Sequence, residues 1–260
     1  MQMLRFKTIN LIFGIVLILI VLLDYFFNLS SWIYGLMGVL WITLTTVGAF
    51  HIRWNYHLKA IHQNKGIKDN WVAITFDDGP HPEFTPKILK LLQMHDAKAT
   101  FFCVGKQLEQ NGELTEEIVT QGHTLGNHTY SHANDFGFFG TEKVITELKQ
   151  TKEIIKAMTG LETRLYRPAF GVTNPNIKKA VHHLSLQTIG WSIRSLDTTN
   201  LSTKKVLHRI TRKLNKGDII LLHDTSEKTV EVLEQLLLFL QKNNMRSVTV
   251  NQLLDLEAYA

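Results

Sequence analysis

The chain has 260 residues, 45% hydrophobic and 20% charged, which is enough for one α/β domain with a substantial core. A net charge of +5 is small for that length, and no arginine-rich or aromatic-basic stretch marks a nucleic-acid surface, so nucleic acid is not an expected partner. The single cysteine, Cys103, excludes an intramolecular disulfide and a cysteine metal cluster; within Thr100-Phe101-Phe102-Cys103-Val104 it reads as a small buried apolar residue.

An apolar run from about Thr8 to Leu23 is interrupted by Asp24, and a second, charge-free run extends from Tyr25 to Phe50. The polar break at Asn28-Leu29-Ser30-Ser31 divides them into two segments of roughly 20 residues, each long enough to span a bilayer. A transmembrane hairpin over residues 1–52 is therefore predicted, with helices at about 8–27 and 32–50. A signal peptide fits less well, because Asp24-Tyr25-Phe26-Phe27 offers no small-residue cleavage site.

Arg5 and Lys7 precede the first segment, and Arg53, Lys59, Lys65 and Lys68 follow the second, while the loop between has no Lys or Arg. The positive-inside tendency then puts both ends and the large domain on the cytoplasmic side of a bacterial cytoplasmic membrane. A shallow or re-entrant arrangement around Asp24 is the alternative, and it leaves the domain outside.

Residues 53–70 read as a polar, basic juxtamembrane linker, and residues 71–260 as the catalytic domain. Strand-like runs at 71–77, 99–104, 123–129, 164–170, 185–193, 218–224 and 246–250 alternate with helical patterns, among them Thr85 to His95, Thr141 to Met158, Thr203 to Leu214 and Glu227 to Lys242. This predicts an α/β fold in which about seven parallel strands form a closed or partly closed (β/α) barrel; a doubly wound open sheet is the alternative.

Chemistry in such folds gathers where the strands end. The first strand ends in Asp77-Asp78-Gly79-Pro80, and neighbours on a strand face opposite ways, so one carboxylate can hold a metal while the other moves a proton. After later strands come Gly126-Asn127-His128-Thr129-Tyr130-Ser131-His132, Arg167-Pro168-Ala169-Phe170-Gly171, Trp191 with Asp197, and His223-Asp224. His128 and His132 are four apart and face one point if the loop has helical curvature. With one carboxylate they make a two-histidine, one-carboxylate site with coordination positions left open, as in hydrolytic zinc sites. A nucleophilic serine hydrolase is disfavoured, since no Gly-x-Ser-x-Gly occurs.

Over roughly residues 70–258, the ordered set Thr75-Phe76-Asp77-Asp78-Gly79-Pro80, His128-Thr129-Tyr130-Ser131-His132 and the later elements resembles the polysaccharide deacetylase family, carbohydrate esterase family 4. The resemblance implies a distorted (β/α) barrel and a metal-dependent hydrolase acting on carbon–nitrogen bonds other than peptide bonds, which removes N-acetyl groups from an amino-sugar glycan. It implies Asp77 as general base, Asp78, His128 and His132 as metal ligands, Arg167 orienting the base, and the Phe170 N–H as oxyanion donor. His223 corresponds to the general acid and Asp197 to the carboxylate that tunes it. One divalent metal is implied; zinc suits two imidazoles and a carboxylate, and manganese, cobalt or nickel fit the same ligands.

The chain departs from the family's pattern at two places, and the second bears on the substrate. Ala169 and Phe170 stand where the family usually has Pro-Tyr, and Arg194-Ser195-Leu196-Asp197-Thr198 replaces Asp-x-x-Asp-Trp. Trp191 and Arg194 are candidate substrate-binding residues, the arginine able to meet an anionic group bidentately. The alternatives are a deacetylase or deformylase of a lipid-linked sugar at the cytoplasmic membrane face, with the bilayer as partner, and a glycan-binding pseudoenzyme.

Overall fold

The computed structural model describes residues 5–260; Met1–Leu4, the start of the expected membrane segment, lie outside the described residues. Helices α1 (Phe6–Phe27) and α2 (Trp32–Phe50) stand side by side, each mostly unburied and long and apolar enough to cross a membrane. Asp24 does not break α1. Its carboxylate accepts from the Tyr34 hydroxyl at 2.9 Å, and Trp41 Nε1 donates to Asn10 Oδ1 at 3.0 Å, so polar groups in the pair satisfy one another across the two helices.

The α/β domain follows as β1 (Trp71–Asp77), α3 (Phe84–Met94), β2 (Ala99–Cys103), α4 (Gly105–Gln110), α5 (Gly112–Thr120), β3 (Thr124–Asn127), α6 (Thr141–Thr159), β4 (Leu165–Tyr166), α7 (Pro175–His183), β5 (Gln187–Thr188), β6 (Ile193–Arg194), α8 (Thr203–Thr211), β7 (Ile219–His223), α9 (Glu227–Lys242), β8 (Arg246–Ser247) and α10 (Val250–Leu254). Seven strands run in the order β5-β4-β3-β2-β1-β7-β6, and β8 pairs with the start of β1; every pairing is parallel. The result is a curled half-barrel, in line with the partly closed barrel predicted from the alternation and the distorted (β/α) barrel that the resemblance implies.

The period of two on β1 explains how the core and the site share one strand. Val72, Ile74 and Phe76 face the helices and join Leu89, Ile220 and Leu233 in the main core, whereas Ala73, Thr75 and Asp77 face the barrel interior. Cys103 is buried in that core, as its apolar context predicts. Leu236, Leu237 and Leu240 of α9 pack there as well.

Three expectations about strands need correction. The run 246–250 is strand only at Arg246–Ser247, and its last residue, Val250, already opens α10. The run 185–193 is not one strand: β5 pairs with β4 and β6 with β7, at opposite ends of the order. The chain crosses the opening between them at Gly190, where Ile52, Ala60 and His62 lie 3.4–3.5 Å from the position a Cβ would take. The run 164–170 is strand only at Leu165–Tyr166, because Arg167 turns inward and Pro168 cannot continue a ladder.

Residues 56–63 pack into the domain rather than hanging free. Tyr56, His57, Leu58 and Ala60 are buried, and Ile61 bridges Ile189 in parallel, covering the β5 edge. His57 packs on Phe6 and Tyr56, and burial lowers its pKa.

Candidate active site

The in-register ends of β1, β2, β3 and β7 build the floor of the site: Asp77 stands opposite Phe102 and His223, and Cys103 opposite Asn127. Asp77 and Asp78 do part company, as the strand period requires. Asp77 remains in the strand and points inward, almost wholly buried, while Asp78 leaves it with φ 79° and is partly exposed. That turn depends on Gly79, because any side chain there would strike the carboxylate of Asp224, which itself accepts from the Thr85 hydroxyl.

Arg167 is fully buried and fixes Asp77. Its Nη1 donates to Asp77 Oδ1 at 2.7 Å and to Thr75 Oγ1 at 2.6 Å, Nη2 donates to the Gly190 carbonyl at 3.0 Å, and the guanidinium lies 4.0 Å from the Phe102 ring centre. A buried ion pair is tolerable only when its remaining donors are satisfied in this way.

His128 and His132 do converge on Asp78, but not through helical curvature. β3 ends at Asn127, and the connection turns through left-handed residues, Thr129 at φ 68° and His132 at φ 48°, tied by the Thr129 N–H to Asn127 Oδ1 and the His132 N–H to Thr129 Oγ1. Both imidazole Nε2 atoms then approach Asp78 Oδ1, at 3.4 Å and 3.3 Å, and one donor atom from each of the three residues lies within 4.8 Å of the other two.

This donor set fits a divalent cation. His128 Nδ1 bonds the Arg167 carbonyl at 2.9 Å, which can only be a donation, so its Nε2 lone pair is turned toward Asp78. Burial acts to lower the His128 pKa, yet the charge of Asp77 and the contact with Asp78 raise it overall, a sign that the local field favours positive charge at this point. Asp78 is held well below the usual carboxylate range: burial opposes this, and the surrounding imidazoles outweigh it.

His223 ends β7, in register with Asp77. Its Nδ1 lies 2.9 Å from Asp197 Oδ1, and its backbone N–H donates to Asp197 Oδ2 at 2.8 Å. Ser195 and Thr229 hydroxyls also donate to Asp197, at 2.7 Å and 2.9 Å, holding a fully buried carboxylate in place. Burial lowers the His223 pKa, but the hydrogen bond and charge of Asp197, with smaller help from Asp77 and Asp78, raise it to about 9. The imidazole is therefore cationic at neutral pH.

Phe170 sits at φ 57° in the turn Ala169–Gly171, half-exposed, its ring 4.4 Å from that of His132. Among the described residues its N–H has no protein acceptor. Trp191 packs beneath Gly171, 5.8 Å from the Arg167 guanidinium carbon and 6.0 Å from that of Arg194. Arg194 itself is exposed and outside the ligand group.

The sequence model of the polysaccharide deacetylase family matches residues 64–189. A peptidoglycan-N-acetylglucosamine deacetylase of Bacillus cereus is 34% identical over 188 residues, covering 70% of this chain and 87% of the relative. The chain belongs to the polysaccharide deacetylase family. This is a family of hydrolases acting on carbon–nitrogen bonds other than peptide bonds. A second Bacillus cereus protein of the same description is 32% identical, and the match takes in 69% of this chain and 66% of that polysaccharide deacetylase, slightly under two thirds of its length. The solved structure of the Bc1960 peptidoglycan N-acetylglucosamine deacetylase superposes with a TM-score of 0.72 at 29% identity, covering 76% of this chain and 94% of the other.

Several residues of the site escaped sequence reasoning. Thr75, two before Asp77 and so on its face of the strand, was legible from the period of two. Asp224 was quoted in a motif without a role; it is buried, one of its oxygens has no partner among the described residues, and burial raises its pKa to about 7. Ser195 and Thr229, which hold Asp197, carried no local signal.

Proposed function

We propose that this member of the family is a metal-dependent amidohydrolase that removes acetyl from an N-acetylated amino sugar. The observation that carries the reading is that two buried pairs of opposite task, Asp77–Arg167 and His223–Asp197, flank one three-donor group made by Asp78, His128 and His132.

In this reading Asp78, His128 and His132 hold the cation, for which zinc is the default. When bound, a divalent cation polarises an amide carbonyl and acidifies water at neutral pH. Asp77, kept ionised and aimed by Arg167, takes a proton from the attacking water. The Phe170 N–H donates to the oxygen that becomes negative as the carbonyl carbon turns tetrahedral. His223 Nε2–H then protonates the departing sugar nitrogen, and Asp197 keeps the imidazole cationic and oriented through Nδ1 until that transfer. Trp191 forms a wall for the sugar.

We further read α1 and α2 as a membrane anchor, residues 53–70 as a linker and 71–260 as the hydrolase unit, with the unit in the cytoplasm. Support for that side comes from Arg53, Arg209, Arg212 and Lys213 around the end of α2.

The test is acetate release by the full-length protein from N-acetylated chitooligosaccharides and peptidoglycan fragments, after chelation and after reloading with zinc, manganese, cobalt or nickel. Activity that disappears on chelation, returns with one of these ions and is lost in Asp77→Asn and His223→Ala supports the reading. Unchanged hydrolysis in either variant removes it.

A further inference from the structure

Two clefts open on either side of Phe50, the last residue of α2. One, of about 300 Å³, gathers Arg53, Arg194, Arg209, Arg212 and Lys213 around Trp191, and no carboxylate lines it among the described residues. The other, of about 570 Å³, lies between the membrane helices, which contribute Phe6, Thr45 and Phe50, and the loops of the domain, which contribute Phe138, Phe170 and Val172.

Both clefts reach the site through a single side chain. The Phe170 ring touches that of His132, and Trp191 lies between Arg194 and Arg167. Like charges collected without a counter-charge repel one another, so the five cations favour an anion among them, and arginine matches the oxygens of phosphate two at a time. The second cleft is walled by rings and aliphatic groups continuous with helices of membrane length, a setting in which hydrocarbon is the occupant that costs least. One molecule meets both demands if a phosphate joins its sugar to its hydrocarbon.

We propose that this site takes an amino sugar linked through phosphate to a lipid. The phosphate sits in the cationic cleft beside Trp191 and Arg194, and the proximal part of the chain lies in the apolar cleft between α2 and Phe170. This rests on the amidohydrolase reading above and names its substrate class. The headgroup of a bulk anionic phospholipid offers the same phosphate chemistry, and the experiment separates the two sources.

Full-length protein in phosphatidylcholine nanodiscs is assayed for acetate release from N-acetylglucosamine 1-phosphate, octyl N-acetylglucosaminide, N-acetylglucosamine joined by phosphate to citronellol, and N-acetylated chitotetraose. The expected result is a kcat/KM for the citronellyl phosphate substrate about tenfold or more above either the phosphate or the octyl compound. Arg212→Glu combined with Lys213→Glu, both exposed, raises KM for the two phosphate substrates and leaves the octyl compound unchanged. Phe138→Ser, at a 92% exposed ring, raises KM only for the substrates carrying a chain. Acetate release from chitotetraose with no preference for the lipid phosphate overturns the proposal and leaves the amidohydrolase reading standing. Competition by phosphatidylglycerol in the disc that abolishes the preference overturns it in favour of a headgroup contact. No acetate from any substrate in the metal-loaded protein overturns the amidohydrolase reading itself.

Discussion

His223 and Asp197 form a pair whose consequences can be measured one atom at a time. The imidazole is raised to about 9 by its carboxylate, so in the proposed role of general acid it is charged through neutral pH and loses its proton only as the pH passes about 9. Hydrolysis should therefore fall on the alkaline side at or slightly below that value, since a cation held by Asp78 also repels the proton. Asp197→Asn should move this limb toward 6.5, the ordinary histidine value, and lower kcat/KM at pH 8; a pH–rate profile of both proteins reads it. The sign for stability is the same: a raised histidine stabilises the fold fully below its unfolded pKa, and that contribution disappears as pH rises through about 9. Arg167 poses the opposite problem, a cation whose removal strands a buried anion. Arg167→Met should cost roughly 3–5 kcal/mol in denaturant unfolding as well as abolishing activity, because Asp77 keeps its burial and loses its partner.

Among the elements, the turn out of β1 is where packing and chemistry constrain each other most tightly. Gly79 has no room for a Cβ against Asp224, so Gly79→Ala should destabilise by about 1–3 kcal/mol and displace Asp78, weakening the proposed binding of a divalent cation as measured by calorimetry. Asp224 is buried with a pKa near 7, so on raising the pH the unfolded chain ionises first, from about 3.8. Stability due to this residue should decline from there to about 7 and stay level above it; Asp224→Asn should flatten that decline in urea midpoints taken across the range. Element by element, the sequence was a good guide to long structures. α6 and α9 have the residues their apolar periodicity predicts to within one position, and β1 matches fully. It was a poor guide to β4, β5, β6 and β8, each of two residues: Gly190 and Pro168 outweigh β-propensity, a neighbouring segment supplies the missing edge at β5, and α10 takes over from β8 at Val250.

For the molecule as a whole, the hairpin is joined to the α/β domain by more than a tether. The Thr173 N–H donates to the Ala49 carbonyl at 2.9 Å, the Phe6 N–H to the Tyr56 carbonyl at 3.0 Å, and Gly48 packs against the Tyr56 ring. Deleting residues 1–50 removes one wall of the apolar cleft and leaves every residue of the proposed catalytic set. Such a chain should lose membrane association and any preference for a lipid-bearing substrate while still deacetylating N-acetylated chitotetraose; sedimentation with membranes and the acetate assay give the two readouts. A reporter fused after Ala260 should be active only on the cytoplasmic side.

The sequence by itself determined the α/β alternation, two apolar segments of membrane length, and the residue types at the strand ends, because these depend on local periodicity and on short motifs whose spacing is preserved in the chain. It also put Asp78, His128 and His132 forward as one group, which the fold does bring together, although the reason offered for their convergence, helical curvature, was wrong. Only the tertiary structure decided that left-handed turns bring the two imidazoles together, that Thr75 meets Arg167 while Ser195 and Thr229 hold Asp197, and that the cations of α8 and β6 meet the end of α2 beside the site. Those relations are set by how elements distant in sequence pack on one another, and side-chain periodicity within an element carries no record of the neighbour it will face.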